Sequence, residues 1–180
     1  MKKILVILAE GFEEIEAVSV ADIMKRAGFD VTLAGLDTLT VRGAHDMPIS
    51  ADVLLKEVSY IPFDAVYLPG GLPGATNLLA SETVGEILKA AAARGSVVAA
   101  ICAAPIVLAK HGLLTDKTFT MYPGFDSYLN GLVPETTPAE RCGNVVTGKG
   151  PGAVFAFSAK LAEALGTDLT DLYSGMFVNL

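Results

Sequence analysis

Short unbroken apolar runs alternate along the chain with segments whose apolar positions recur every three to four residues. The runs fall at residues 4–9, 31–36, 65–68, 97–101 and 145–147. Several lack the in-and-out alternation of a half-exposed strand, so they predict strands buried on both faces. The helical pattern occupies residues 14–27, 83–94, 104–109 and 153–165, with Gly28 and Gly166 placed to end the first and last of these helices. Strand and helix in alternation predict an α/β fold with a mostly parallel sheet and helices on both faces. Residues 40–53, with Gly43 and Pro48, read as a small hairpin or edge excursion. Residues 115–122 suggest one more strand and residues 126–130 a short helix. No repeat, low-complexity tract or linker interrupts the pattern, so residues 1–180 read as a single domain.

The run at 97–101 stops at Cys102 and continues directly as a helix, the pattern of a strand-to-helix elbow that lifts one side chain above the sheet. Such an elbow crowds the residues two before and two after its apex, and these are Ala100 and Ala104, with Ala103 next to the sulfur. A helix N-terminus facing the thiol favours thiolate, which suits a nucleophile or a redox sensor. Taken alone, the segment fits equally well a buried cysteine packed like an alanine.

In an open parallel sheet, ligands gather at the carboxyl ends of the strands. Three other strand ends are candidates to meet Cys102. After the first strand, Glu16 shares a helical row with Val20, Ile23 and Ala27, where desolvation raises a carboxyl pKa. Glu13 and Glu14 read instead as acidic residues suited to a helix N-terminus, Glu14 on a solvated row. After the third strand, Leu68-Pro69-Gly70-Gly71 forms a glycine turn whose Gly71 N–H, with that of Ala103, could make an oxyanion hole. Gly148-Lys149-Gly150-Pro151-Gly152 matches neither dinucleotide nor Walker spacing, so Gly150 and Pro151 are read as pocket lining and Pro151 as a helix start. Tyr122 can line the same pocket or belong to the core, and His45 can line a pocket or an interface. His111 suits the end of the helix after Cys102, and Cys142 reads as a turn thiol without a role.

Composition narrows the partners. A formal charge of −7, with 13 Lys and Arg against 20 Asp and Glu, leaves no basic cluster for nucleic acid or an anionic membrane. At 52% hydrophobic residues the chain can bury a sizeable core. The run at 4–9 is too short for a signal peptide and leads into acidic residues, so a cytoplasmic protein is expected. The two cysteines lack partners for a zinc site, and neither metal nor cofactor is expected.

Glu13-Glu14-Ile15-Glu16, Leu68-Pro69-Gly70-Gly71, Ala100-Ile101-Cys102-Ala103-Ala104-Pro105 and Gly148-Lys149-Gly150-Pro151-Gly152, in this order, resemble the ThiJ/PfpI superfamily, and within it the subfamily of the parkinsonism-associated deglycase. The resemblance spans essentially the whole chain. It implies a flavodoxin-like three-layer sandwich, a reactive Cys102 on its elbow, a protonated Glu16 bonded to the sulfur, and backbone donors from Gly71 and Ala103. It further implies a homodimer with the site near the subunit interface and a small aldehyde or glycated substrate. The expected activity is cofactor-independent chemistry on small reactive carbonyls, glyoxalase- or deglycase-like; the alternative is a redox-sensing stress protein or chaperone whose cysteine is oxidised to sulfinate. Tyr122 replaces a histidine common in the subfamily, which leaves Glu16 to move the proton. His45 replaces an arginine common in the hairpin, so an anion site there would be weaker and pH-dependent. Ala103 stands where protease-like relatives place a histidine, and no distal His-x-Glu pair follows, which excludes the peptidase and glutamine amidotransferase branches.

Overall fold

The computed structural model describes residues 1–58 and 61–179. Its main sheet has seven strands: β1 (Lys3–Leu8), β2 (Asp30–Gly35), β5 (Val53–Leu54), β6 (Ala65–Leu68), β7 (Val97–Ile101), β8 (Ala139–Cys142) and β9 (Val145–Gly148). They lie in the order β5-β2-β1-β6-β7-β9-β8, all neighbours parallel except the antiparallel β8–β9 edge. β3 (Thr40–Arg42) and β4 (Pro48–Ser50) form a separate antiparallel hairpin. The expected mostly parallel sheet with helices on both faces is present, with a flavodoxin-like strand order in its five central strands.

Period-two geometry sends alternate residues of each buried strand to opposite faces. Leu5, Ile7, Val66, Leu68, Val98 and Ala100 pack with residues of α3 (Gly74–Ala80), α4 (Glu82–Ala93) and α5 (Pro105–Lys110). Ile4, Val6, Tyr67, Ala99 and Ile101 pack with residues of α1 (Glu14–Arg26) and α6 (Val154–Ala164). The α1 row foreseen from Glu16 through Val20 and Ile23 faces this second core. Ser81 caps α4 by accepting a hydrogen bond from the Val84 N–H at 3.3 Å.

Several elements depart from the sequence pattern. Residues 115–122 form no strand: Thr120 makes one isolated bridge with Glu135, its N–H donates to Thr147 Oγ1, and its hydroxyl reaches the carbonyls of Glu135 and Thr137. Side-chain bonds thus replace a sheet ladder there. The hairpin ends at Ser50, because Val53 pairs with Ala34 in the main sheet rather than with the hairpin. Cys142 closes strand β8, opposite Val145, rather than sitting in a turn. α3, the short α2 (Leu55–Val58), α7 (Thr170–Gly175) and β8 had no clear pattern. Residues 126–130 hold only a 3-10 turn, Asp126–Tyr128. Among the described residues no helix is long and apolar enough to cross a membrane.

Candidate active site

The carboxyl ends of β1, β6 and β7 converge where the strand order reverses, and each delivers one part of the site. β7 delivers Cys102, which adopts φ 62°, a region that L-residues with side chains seldom occupy. The elbow is held from both sides, the Cys102 N–H donating to the Gly148 carbonyl at 2.9 Å and the Tyr122 N–H to the Cys102 carbonyl at 2.9 Å. Ala100 and Ala104 are both fully buried, as the steric argument requires.

Glu16 comes from the first turn of α1 and is fully buried. Its Oε2 accepts the Gly70 N–H at 2.7 Å, while its Oε1 has no hydrogen-bond partner among the described residues. The Tyr67 hydroxyl donates to the Glu16 main-chain carbonyl at 3.0 Å and fixes that turn. Burial pushes the Glu16 carboxyl up to about 7, against the lowering effect of the bonds from Gly70 and Cys102.

β6 ends in Gly70 and Gly71. A Cβ on Gly70 would stand 2.6 Å from the Cys102 Cβ and 2.8 Å from Glu16 Oε2, so only glycine lets these two side chains approach each other. Gly71 has φ +89°, and a Cβ there would run into the backbone of Gly11, Phe12 and Glu13, so this turn also needs glycine. The Gly71 and Ala103 N–H groups, expected from the sequence as an oxyanion hole, act to lower the pKa of the Cys102 thiol. They do not prevail. Burial first, and then the negative Glu16 carboxylate, push the thiol up to about 12. α5, whose N-terminus follows Cys102, spans only six residues, and burial is the largest influence on the thiol. Two groups that close share their protons, and what titrates is the pair.

Tyr122 is half exposed, and its ring lies beside Gly150, where a Cβ would meet Tyr122 Cδ2 at 3.3 Å. Tyr122, Gly150 and Pro151 line one cavity of about 530 Å³, with Pro123, Thr136 and Lys149 on its walls. Pro151 opens a 3-10 turn ahead of α6, as expected of a proline at a helix start.

His45 is placed elsewhere. It packs at the N-terminus of α1, with Nδ1 at 3.0 Å from Glu14 Oε2 and 3.6 Å from Glu13 Oε2. The row of Glu14 is solvated at Val18, Asp22 and Lys25, as read from the sequence, but Glu14 itself is buried under the hairpin and accepts the His45 N–H at 2.7 Å. Burial pushes its carboxyl up, but hydrogen bonds from the His45 side chain and from backbone N–H groups outweigh this and hold it low. The Glu14 and Glu13 carboxylates raise the His45 pKa in turn. Nothing in the helical pattern of α1 signals this contact, because it comes from a hairpin thirty residues away. His111 caps the C-terminal end of α5, as its position suggested.

A family model described as the DJ-1/PfpI family matches residues 2–164. The chain is 42% identical over 167 residues to protein dj-1beta of Drosophila melanogaster, covering 91% of this chain and 89% of that one. It is 36% identical to a glutathione-independent glyoxalase of Caenorhabditis elegans, over 91% of this chain and 89% of the relative. A deglycase of Pyrococcus abyssi is 31% identical, over 91% and 99% of the two chains. Among solved structures, a DJ-1 superfamily protein of Salmonella typhimurium superposes with a TM-score of 0.94 at 34% identity, covering all of both chains. Toxoplasma gondii DJ-1, in oxidized form, gives 0.94 at 33% identity, again over all of both chains. With a family model spanning most of its length and relatives of this similarity, the chain belongs to the DJ-1/PfpI family.

Proposed function

We propose that this protein is a cofactor-independent cysteine enzyme acting on small reactive carbonyls, of the glyoxalase or deglycase type. The observation that carries the reading is a single thiol on an elbow, set against a buried carboxyl pushed to about 7 across a glycine that alone leaves room for both. The activities for which two relatives are named, a glyoxalase and a deglycase, support the same class.

The chemistry follows from the pair. With one proton between them, Glu16 accepts the thiol proton as Sγ bonds the aldehyde carbon. The carbonyl π electrons move to oxygen, where the Gly71 and Ala103 N–H groups hold the developing charge. Glu16 returns the proton to that oxygen and leaves a hemithioacetal. For methylglyoxal, the Glu16 carboxylate then takes the proton from the former aldehyde carbon and delivers it to the neighbouring carbon, while the hydroxyl proton passes from the first carbon's oxygen to the oxygen of its neighbour. The resulting lactoyl thioester is hydrolysed, releasing lactate and the thiol. One water is consumed; the aldehyde carbon is oxidised and its neighbour reduced, so no external oxidant is needed. An early glycation adduct would join the same path: Sγ displaces the amine from the aminocarbinol carbon, Glu16 gives the leaving amine its proton, and the same hemithioacetal results.

The test is lactate formation from methylglyoxal, measured for wild type and Cys102→Ser in metal-free buffer. Lactate made by wild type and absent with the serine variant is expected; equal rates from both would exclude Cys102 as nucleophile.

A second reading is a redox sensor, favoured by the T. gondii relative solved in oxidized form. Two equivalents of peroxide would carry the Cys102 sulfur to sulfinate, each losing water, with a protonated Glu16 and the two N–H groups bonding the sulfinate oxygens. Turnover of methylglyoxal without loss of the thiol separates the enzyme from the sensor. In either role we propose a homodimer, supported by two half-exposed apolar side chains, Ile15 and Val18, on the outer face of α1.

A further inference from the structure

Glu13 occupies the N-cap position of α1, yet its side chain makes no capping hydrogen bond. The residue is 9% exposed, and among the described residues its carboxylate accepts no hydrogen bond; its near contact is His45 Nδ1 at 3.6 Å. Glu13 and Glu14 both turn their carboxylates toward this one imidazole, so that two carboxylates and a histidine nitrogen stand at ligand spacing. Glu14 Oε2 stands 3.0 Å from the same nitrogen, and one ligand atom from each of the three residues lies within 4.8 Å of the others. We propose that Glu13, Glu14 and His45 form a binding site for a divalent transition metal ion of the zinc type.

Tetrahedral ligand bonds of about 2.0–2.2 Å place two donors on one zinc ion about 3.3–3.6 Å apart; Glu13 Oε2 already stands 3.6 Å from His45 Nδ1, and Glu14 Oε2, at 3.0 Å, needs only a small outward shift. Glu14 is already oriented for the task. Its Oε1 accepts the N–H groups of His45 at 2.7 Å and Met47 at 3.4 Å, leaving Oε2 turned to the imidazole. Such bonds to the non-ligating oxygen fix a carboxylate as metal sites require. The His45 side chain is 66% exposed, which leaves room for water as a fourth ligand. The ion would replace a proton on the imidazole, and two carboxylates with a neutral histidine balance its charge. The sequence expectation of no metal site considered the cysteines, whereas these ligands meet only when the hairpin folds over α1.

The site is separable from the proposed carbonyl chemistry, because its readout is metal binding rather than turnover. Equilibrium dialysis against Zn²⁺ should use the full chain carrying Cys102→Ser and Cys142→Ser, so that no thiol competes. One ion per chain is expected, with affinity falling at least about tenfold in His45→Ala and in Glu13→Gln and unchanged in His111→Ala. Zn²⁺ should also shift the His45 ring signals in the NMR spectrum of the unmutated histidine background, a readout that needs no ligand variant to fold. No bound ion at millimolar Zn²⁺, affinity indifferent to His45→Ala, or unmoved His45 signals would overturn the proposal.

Discussion

Glu16 is expensive to keep where it is. Its carboxyl titrates at about 7 rather than near 4.5, so the folded state holds a proton between those values that the unfolded chain has already released. The penalty is therefore absent below about pH 4.5, grows as the pH rises, and is complete above 7. At about 1.4 kcal/mol per pH unit it amounts to about 3 kcal/mol. Glu16→Gln keeps an acceptor for the Gly70 N–H but removes the charge. We expect this variant to be more stable than wild type in urea at pH 8, with the gain vanishing at pH 4, and to lose about 100-fold or more in lactate formation. Equal stability at pH 8 would show that the carboxylate is well solvated. Gly70 makes a complementary case. In Gly70→Ala, the new methyl forces Cys102 and Glu16 apart, so activity should fall on the order of 100-fold while urea unfolding shows an intact fold.

The hairpin β3–β4 is tied to α1 by Glu14, whose carboxylate accepts the His45 and Met47 N–H groups as well as His45 Nδ1. Glu14→Ala strands these donors and should cost about 1–3 kcal/mol in urea unfolding, with hydrogen exchange speeding up at residues 43–47 before the rest of the chain. A change within the error of the measurement would show that water replaces the carboxylate freely. The same contact marks the limit of what the sequence discloses. Central strands, buried on both faces, announce themselves as apolar runs, and α1, α4 and α6 by their period. The elbow was legible because Ala100, Ala103 and Ala104 leave it no bulk, and Glu16 because it interrupts an apolar row. α3, whose seven residues open at Pro73 and Gly74, was masked by turn chemistry. The buried state of Glu14 depends on a partner distant in the chain, which no local period can report. The missing strand at 115–122 has the same origin, since Thr120 spends its hydrogen bonds on Thr147, Glu135 and Thr137.

The molecule as a whole is a doubly covered sheet whose switch point gathers the parts of the candidate site from three strand ends. That plan leaves Ile15 and Val18 half exposed on α1, one turn from the site's carboxylates. Light scattering coupled to size exclusion should accordingly give a mass twice the 18.7 kDa of the chain, and Ile15→Glu should move it to the single-chain value; a wild-type monomer would refute the homodimer. The central claim is that one proton, shared by Cys102 and Glu16, does the chemistry. It is tested most directly by the pH dependence of kcat/KM for lactate formation from methylglyoxal, compared between wild type and Glu16→Gln. The wild-type value should rise about tenfold per pH unit below about 7 and level off above it, and the limb near 7 should be missing from the residual activity of the variant. A wild-type profile flat across this range, or the same limb persisting in Glu16→Gln, would contradict the account.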